Sequence, residues 1–148
     1  MKKLSFLICC LFFINIFTLS LNAKIFIESK VNEKIITNYD MEMEAAYLTI
    51  LNSNLNQLTK EKLIKLAKQS LIREIIKENE ILKFSSIDID AVQINNYLKN
   101  LTSKLNFRDQ LEFENALKEV NSYSIDEVKK KIGIELIWND LIYNKYKN

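Results

Sequence analysis

At 148 residues the chain is the size of one domain, and with a single glycine and no proline it is too poor in turn formers for an all-β fold. Its 21 basic and 19 acidic residues leave a formal charge of +2, which gives no global field to attract nucleic acid or an anionic lipid surface. The absence of histidine removes the commonest general base and metal ligand, and the only cysteines, Cys9 and Cys10, lie in the first ten residues.

The first 23 residues read as an export signal. Lys2 and Lys3 form a basic start, Leu4 to Leu21 is almost wholly apolar, and Leu21-Asn22-Ala23 ends it on a small residue. The alternative is an uncleaved anchor, for which the apolar run is near the lower length limit. Cleavage after Ala23 predicts a periplasmic protein of residues 24–148 that holds no cysteine. Its core, and not disulfides, must then hold it together.

Ile25 to Val31 alternates as a short strand, with Ile25, Ile27 and Val31 expected on one side. Asn32-Glu33 predicts a tight turn, and Lys34 to Ile36 the returning strand. Two strands alone are marginal, so this hairpin needs a helical surface to cover one face. Thr37 and Asp40 form a capping box flanked by Ile36 and Met41, predicting a helix to about Asn52. Thr59 caps a long helix to about Lys83. Its stripe of Leu63, Ile64, Ala67, Leu71, Ile72, Ile75 and Ile76 is wide enough to be touched from more than one side.

A third helix is expected from about Asp88, with Ala91, Ile94, Leu98, Leu101 and Leu105 at three- and four-residue steps. A shorter fourth spans about Phe107 to Glu119, presenting Leu111, Phe113, Ala116, Leu117 and Val120. Ser124 and Glu127 form a second capping box for a last helix to about Tyr146. From Ile134 to Tyr143 that helix is apolar over much of its circumference, so its own domain, a partner or a client must cover it. The fold class is therefore mainly α, a small N-terminal β-hairpin followed by about five helices.

Little of the sequence carries catalytic chemistry. There is no glycine-rich phosphate loop and no nucleophile elbow. Asp88 with Asp90, and Glu42 with Glu44, are spaced by two, which on a helix turns side chains apart. The first pair reads as a helix start and the second as solvated faces. Lys129-Lys130-Lys131 reads as a solvated helix face. No catalytic, metal or cofactor residue is assigned. The remaining signal is the set of methionines and aromatics, most of them core by their spacing. Met43, Tyr47, Trp138 and Tyr143 are the four expected to line a surface for another chain.

The order of these pieces carries a resemblance. "IFIESKVNEKIITNYDMEM", the long helix "KLIKLAKQSLIREIIKENEIL", then "IDIDAVQINNYLKNLTSKLN", "DQLEFENALKEV" and "YSIDEVKKKIGIELIWNDLI" follow one another after an export signal. This resembles the N-terminal chaperone domain of the SurA family of periplasmic chaperones. Val31-Asn32-Glu33 with Ile35-Ile36-Thr37 matches best, supported by Leu71-Ile72-Arg73-Glu74. A weaker likeness to the client-binding helices of trigger factor points the same way.

The resemblance implies an ATP-independent holdase that takes unfolded outer-membrane or envelope proteins in an apolar groove, with no nucleic acid and no cofactor. Two departures stand out. The parvulin-type isomerase domains of the family are not in these residues, nor are the histidines of their site, so no isomerase activity is expected. Lys83-Phe84-Ser85-Ser86 also stands where the family has a glycine turn. In the family a later segment completes the domain, so here either a second copy or another partner chain supplies it or the groove stays open. The hairpin then either offers an unpaired edge to an extended peptide or simply clamps the helices. The competing class is a structural subunit docked on one dedicated envelope partner, or the remnant of a prolyl isomerase lacking its catalytic domain.

Overall fold

The computed structural model describes residues 24–84 and 90–147. Their elements are β1 (Ile27–Val31), β2 (Lys34–Thr37), α1 (Asn38–Leu51), a 3-10 turn (Ser53–Gln57), α2 (Lys60–Leu82), α3 (Ala91–Lys104), α4 (Gln110–Glu119) and α5 (Ile125–Tyr146). The fold is thus mainly helical, five helices preceded by a small antiparallel hairpin. The export-signal residues 1–23, and Asp88 with the expected start of the third helix, lie outside the described residues. Among those residues no helix is long and apolar enough to cross a membrane.

Polar side chains set the helix starts. Thr37 Oγ1 accepts from the Asp40 amide at 3.2 Å, and the Asp40 carboxylate accepts from the Thr37 amide at 2.8 Å. Ser124 and Glu127 repeat the exchange at 3.3 and 2.8 Å. Each box contributes about 1 kcal/mol. Asp109 caps α4 through the Glu112 amide, so α4 begins at Gln110 and not at Phe107. On so short a helix Phe113 and Leu117 bury fully, while Leu111 faces solvent, against its expected place on the core face.

Asparagine does the work of glycine at the chain reversals. Asn32, Asn106 and Asn121 have φ of 52°, 63° and 52°. Asn32 makes the hairpin turn. Asn106 and Asn121 end α3 and α4 in Schellman motifs: the Phe107 amide bonds to the Thr102 carbonyl, and the Ser122 amide to the Leu117 carbonyl, both at 3.0 Å. Asparagine tolerates this left-handed region better than other residues with a Cβ.

The core divides in two. Tyr47, Leu98, Phe113, Leu117, Tyr123, Val128 and Ile132 join α1, α3, α4 and α5. Ile36, Met41 and Ile75, with Val31, Ile64, Leu71 and Ile72 against them, join the hairpin, α1 and α2. Burying Ile36 alone contributes about 2 kcal/mol. The hairpin is therefore a clamp on α2, reinforced by Lys34 bonded to Glu78 and by Lys68 at 3.9 Å from Glu28.

The pairing register slips between Ile27 and Ser29. The extra residue, Glu28, reverses the face of everything before it. Ile27 therefore lies opposite Thr37 on the outer face, and not beside Val31 as simple alternation predicts. Ile25, Phe26, Ile27 and Ile35 are all exposed. The two strands form the whole sheet among the described residues.

Candidate functional site

The C-terminal halves of α2 and α5 make an apolar groove of about 380 Å³. On α5, Trp138, Leu141, Ile142 and Lys145 fall at i, i+3, i+4 and i+7, one stripe of the helix. Across from them stand Glu80 of α2 and Phe84 just beyond its end. Trp138, Leu141 and Ile142 are half-buried, and Phe84 is 71% exposed, so the groove is open to solvent on its α2 side. The groove can receive an apolar side chain or a short extended segment. Its charged rim residue Glu80 is bonded to Lys83.

A second feature lies deeper. Glu44 is 2% exposed and accepts from the Tyr123 hydroxyl at 2.8 Å and from Lys131 Nζ at 2.9 Å. Lys131 also donates to Glu74 and lies over the ring of Tyr123, 4.4 Å from its centroid. Tyr123 meets Tyr47 edge-on at 5.5 Å. A cleft of about 310 Å³ opens beside this network, lined by Glu44, Tyr47, Ser70, Glu74, Tyr97 and Lys131 among others. Burial pushes the Tyr47 and Tyr123 phenols well above the ordinary tyrosine range, and the nearby Glu44 charge pushes them further. Both stay protonated, and Tyr123 donates to Glu44. Among the described residues no three acidic side chains converge as metal ligands.

No family model matches the chain, and no curated protein or solved structure matches it. Function must therefore come from the side chains themselves.

The four residues expected to line a common surface are spread over separate places. Trp138 lines the apolar groove. Tyr143 lies off that stripe, 61% exposed, with Lys147 5.3 Å from its ring centroid. Met43 is half-buried against the larger core cluster and borders a small cleft among α1, α2 and α5. Tyr47, at 6% exposure, is a core residue and corrects the expectation of a surface role. It also lines the polar cleft.

Two other expectations are also corrected. Glu44 and Lys131 are not solvated: their side chains are 2% and 13% exposed. The signal was present in the spacing. Glu44 falls within the stripe Met41, Ala45 and Leu48, and Lys131 within Val128 and Ile132. A charge inside an apolar stripe needs an opposite charge inside another, and Glu74, between Leu71 and Ile75, completes the set.

Proposed function

We propose that this protein is an ATP-independent holdase of the periplasm that binds unfolded outer-membrane or envelope precursors and keeps them from aggregating. The observation that carries this reading is the open groove of Trp138, Leu141, Ile142 and Phe84. None of the described residues seals it, and its walls are apolar while its rim is polar, as a site for many different sequences requires. The resemblance of residues 24–148 to the SurA N-terminal domain points in the same direction. The mechanism is reversible burial of client side chains at about 25 cal/mol per Å², offset by the ordering of client and groove, so affinity for any one client is modest.

The test is the aggregation of a urea-unfolded β-barrel precursor diluted into buffer. The protein in modest excess suppresses light scattering, and Ile142→Asp removes that suppression while leaving helix content unchanged. Undiminished scattering with the wild type in molar excess refutes the reading.

One observation favours a second reading, a subunit fixed to a dedicated envelope partner. Ile25, Phe26, Ile27 and Ile35 at the hairpin are all exposed, with Tyr39 of α1 also exposed. Asn38 holds the start of the hairpin in place, accepting from the Phe26 amide at 2.8 Å and donating to the Phe26 carbonyl at 3.1 Å. Crosslinking in the intact envelope separates the two: one stoichiometric product supports the subunit, a smear of precursors the holdase.

A further inference from the structure

The contact between α2 and α5 is built differently from the rest of the protein. Neither core cluster contains residues of both helices. The fully buried Ile81 and Ile134 belong to neither cluster. Beside those two buried isoleucines, a line of ion pairs spans the two helices. Glu74 accepts from Lys131, Lys77 donates to Glu135 at 2.5 Å, and Lys130 lies 3.4 Å from Glu78. Glu74, Lys77 and Glu78 share one face of α2 by their i, i+3, i+4 spacing. The walls of the apolar groove, Phe84 and Trp138, lie further along the same two helices, toward their C-terminal ends.

We propose that this ionic ladder is an acid-released latch that sets the width of the groove. The proposal rests on reading that groove as the client site. Every rung contains a glutamate, so each loses its charge when a carboxylate takes up a proton. The groups that face the rungs come from the hairpin, α1, α2, α3 and α5, with Tyr123 just before α5. Lys131 meets Glu44 of α1, Glu74 of α2 and the rings of Tyr47 and Tyr123. The clefts on its two sides add Asp40, Glu127 and Lys130, and Tyr97 and Glu135. Glu78 meets Lys34 of the hairpin and Lys130 of α5. When Glu44 and Glu74 are protonated, Lys131 loses both carboxylates that bond it across to α1 and α2. The carboxylates that remain in its clefts, Asp40 of α1 and Glu127 and Glu135 of α5, cannot tie it to α2.

The two apolar clusters decide what moves. The larger one keeps α5 with α1, α3 and α4. The smaller one keeps α2 with the hairpin and α1. Releasing the ladder lets α2 with its hairpin swing about α1, and Phe84 withdraws from Trp138. The open state holds more protons than the closed one, so acid favours it. Its equilibrium constant rises about tenfold per pH unit for each proton taken up.

Trp138 is the only tryptophan in the chain, so its fluorescence reads the groove without a label. Acrylamide quenching of the purified protein is followed from pH 7 downward beside far-ultraviolet circular dichroism. The expected result is a rise in quenching at a pH where helix content is still full, and Glu74→Gln shows the raised quenching already at pH 7. Quenching that rises only as the helices melt overturns the proposal, as does Glu74→Gln that quenches like the wild type.

If Glu74→Gln does not fold, the exposed rung decides. Lys77→Glu opens the groove at pH 7, and Lys77→Glu combined with Glu135→Lys closes it again. A double variant that stays open overturns the latch. No client is present in these measurements, so a failed latch leaves the aggregation result standing, and a failed aggregation result leaves the fluorescence step standing.

Discussion

Replacing Lys131 by methionine tests the buried network most sharply. The substitution keeps the length and most of the packing of the side chain but removes its charge. Glu44, at 2% exposure, is then a buried carboxylate whose remaining partner is the Tyr123 hydroxyl. Glu74 is 26% exposed and can turn to water, so its share of the loss is small. Breaking one side of a buried pair costs about 3–5 kcal/mol. The lower end applies here because Tyr123 still donates, giving about 3 kcal/mol. For a chain near 150 residues that lowers the melting temperature by about 10 °C. Adding Glu44→Gln removes the stranded charge while its amide oxygen still accepts from Tyr123, so the double variant regains about 2 kcal/mol. Urea unfolding of the wild type, both single variants and the double variant measures this coupling. A Lys131→Met variant that loses under about 1 kcal/mol, or a double variant no more stable than Lys131→Met, refutes the account of Glu44 as a paired buried charge.

Three further outcomes follow from the described geometry. Asn121→Ala and Asn106→Ala each cost about 1 kcal/mol in urea unfolding, because alanine pays for the left-handed backbone, while the glycine variants are within a few tenths of the wild type. Burial raises the Glu78 carboxyl, but the hydrogen bond from Lys34 and the charges of Lys130 and Lys34 bring it below the usual glutamate value. Its contribution to stability is therefore full above the ordinary glutamate range and is lost as pH falls through its lower folded value, so Glu78→Gln flattens the acid limb of the stability–pH curve. In alkaline titration followed by ultraviolet absorbance, Tyr47 and Tyr123 stay protonated well past the ordinary phenol value of about 10, and Tyr123→Phe leaves one such tyrosine.

The helical framework was legible because its signals are local. Capping boxes at Thr37 and Ser124, and the stripes of α2, α3 and α5, each depend on residues within one or two turns of each other. The hairpin turn at Asn32-Glu33 was legible for the same reason. Its face was not, since the slip at Glu28 reverses the alternation and shows only in the pairing with β2. The start of α4 was misplaced because Asp109, a cap, competes with the apolar Phe107, which packs at 5.3 Å on Phe113 from outside the helix.

The site divides along the same line. Trp138 was legible from a helix half too apolar for solvent. Tyr47 was not, because an aromatic at a helical step is equally a core residue until its neighbours are known. Glu44, Glu74 and Lys131 come from three elements, and only their meeting makes sense of charges placed among apolar side chains. Spacing shows that each is out of place, but the tertiary fold is needed to show that they belong together.

The asparagine reversals after α3 and α4 have a mechanical corollary. A glycine at such a corner is a swivel, free to visit both halves of backbone space. An asparagine that has been driven into the left-handed region and pinned by two carbonyl bonds is a bracket. Three successive helices joined by brackets turn as one solid piece, and the give in this molecule is displaced to joints elsewhere in the chain.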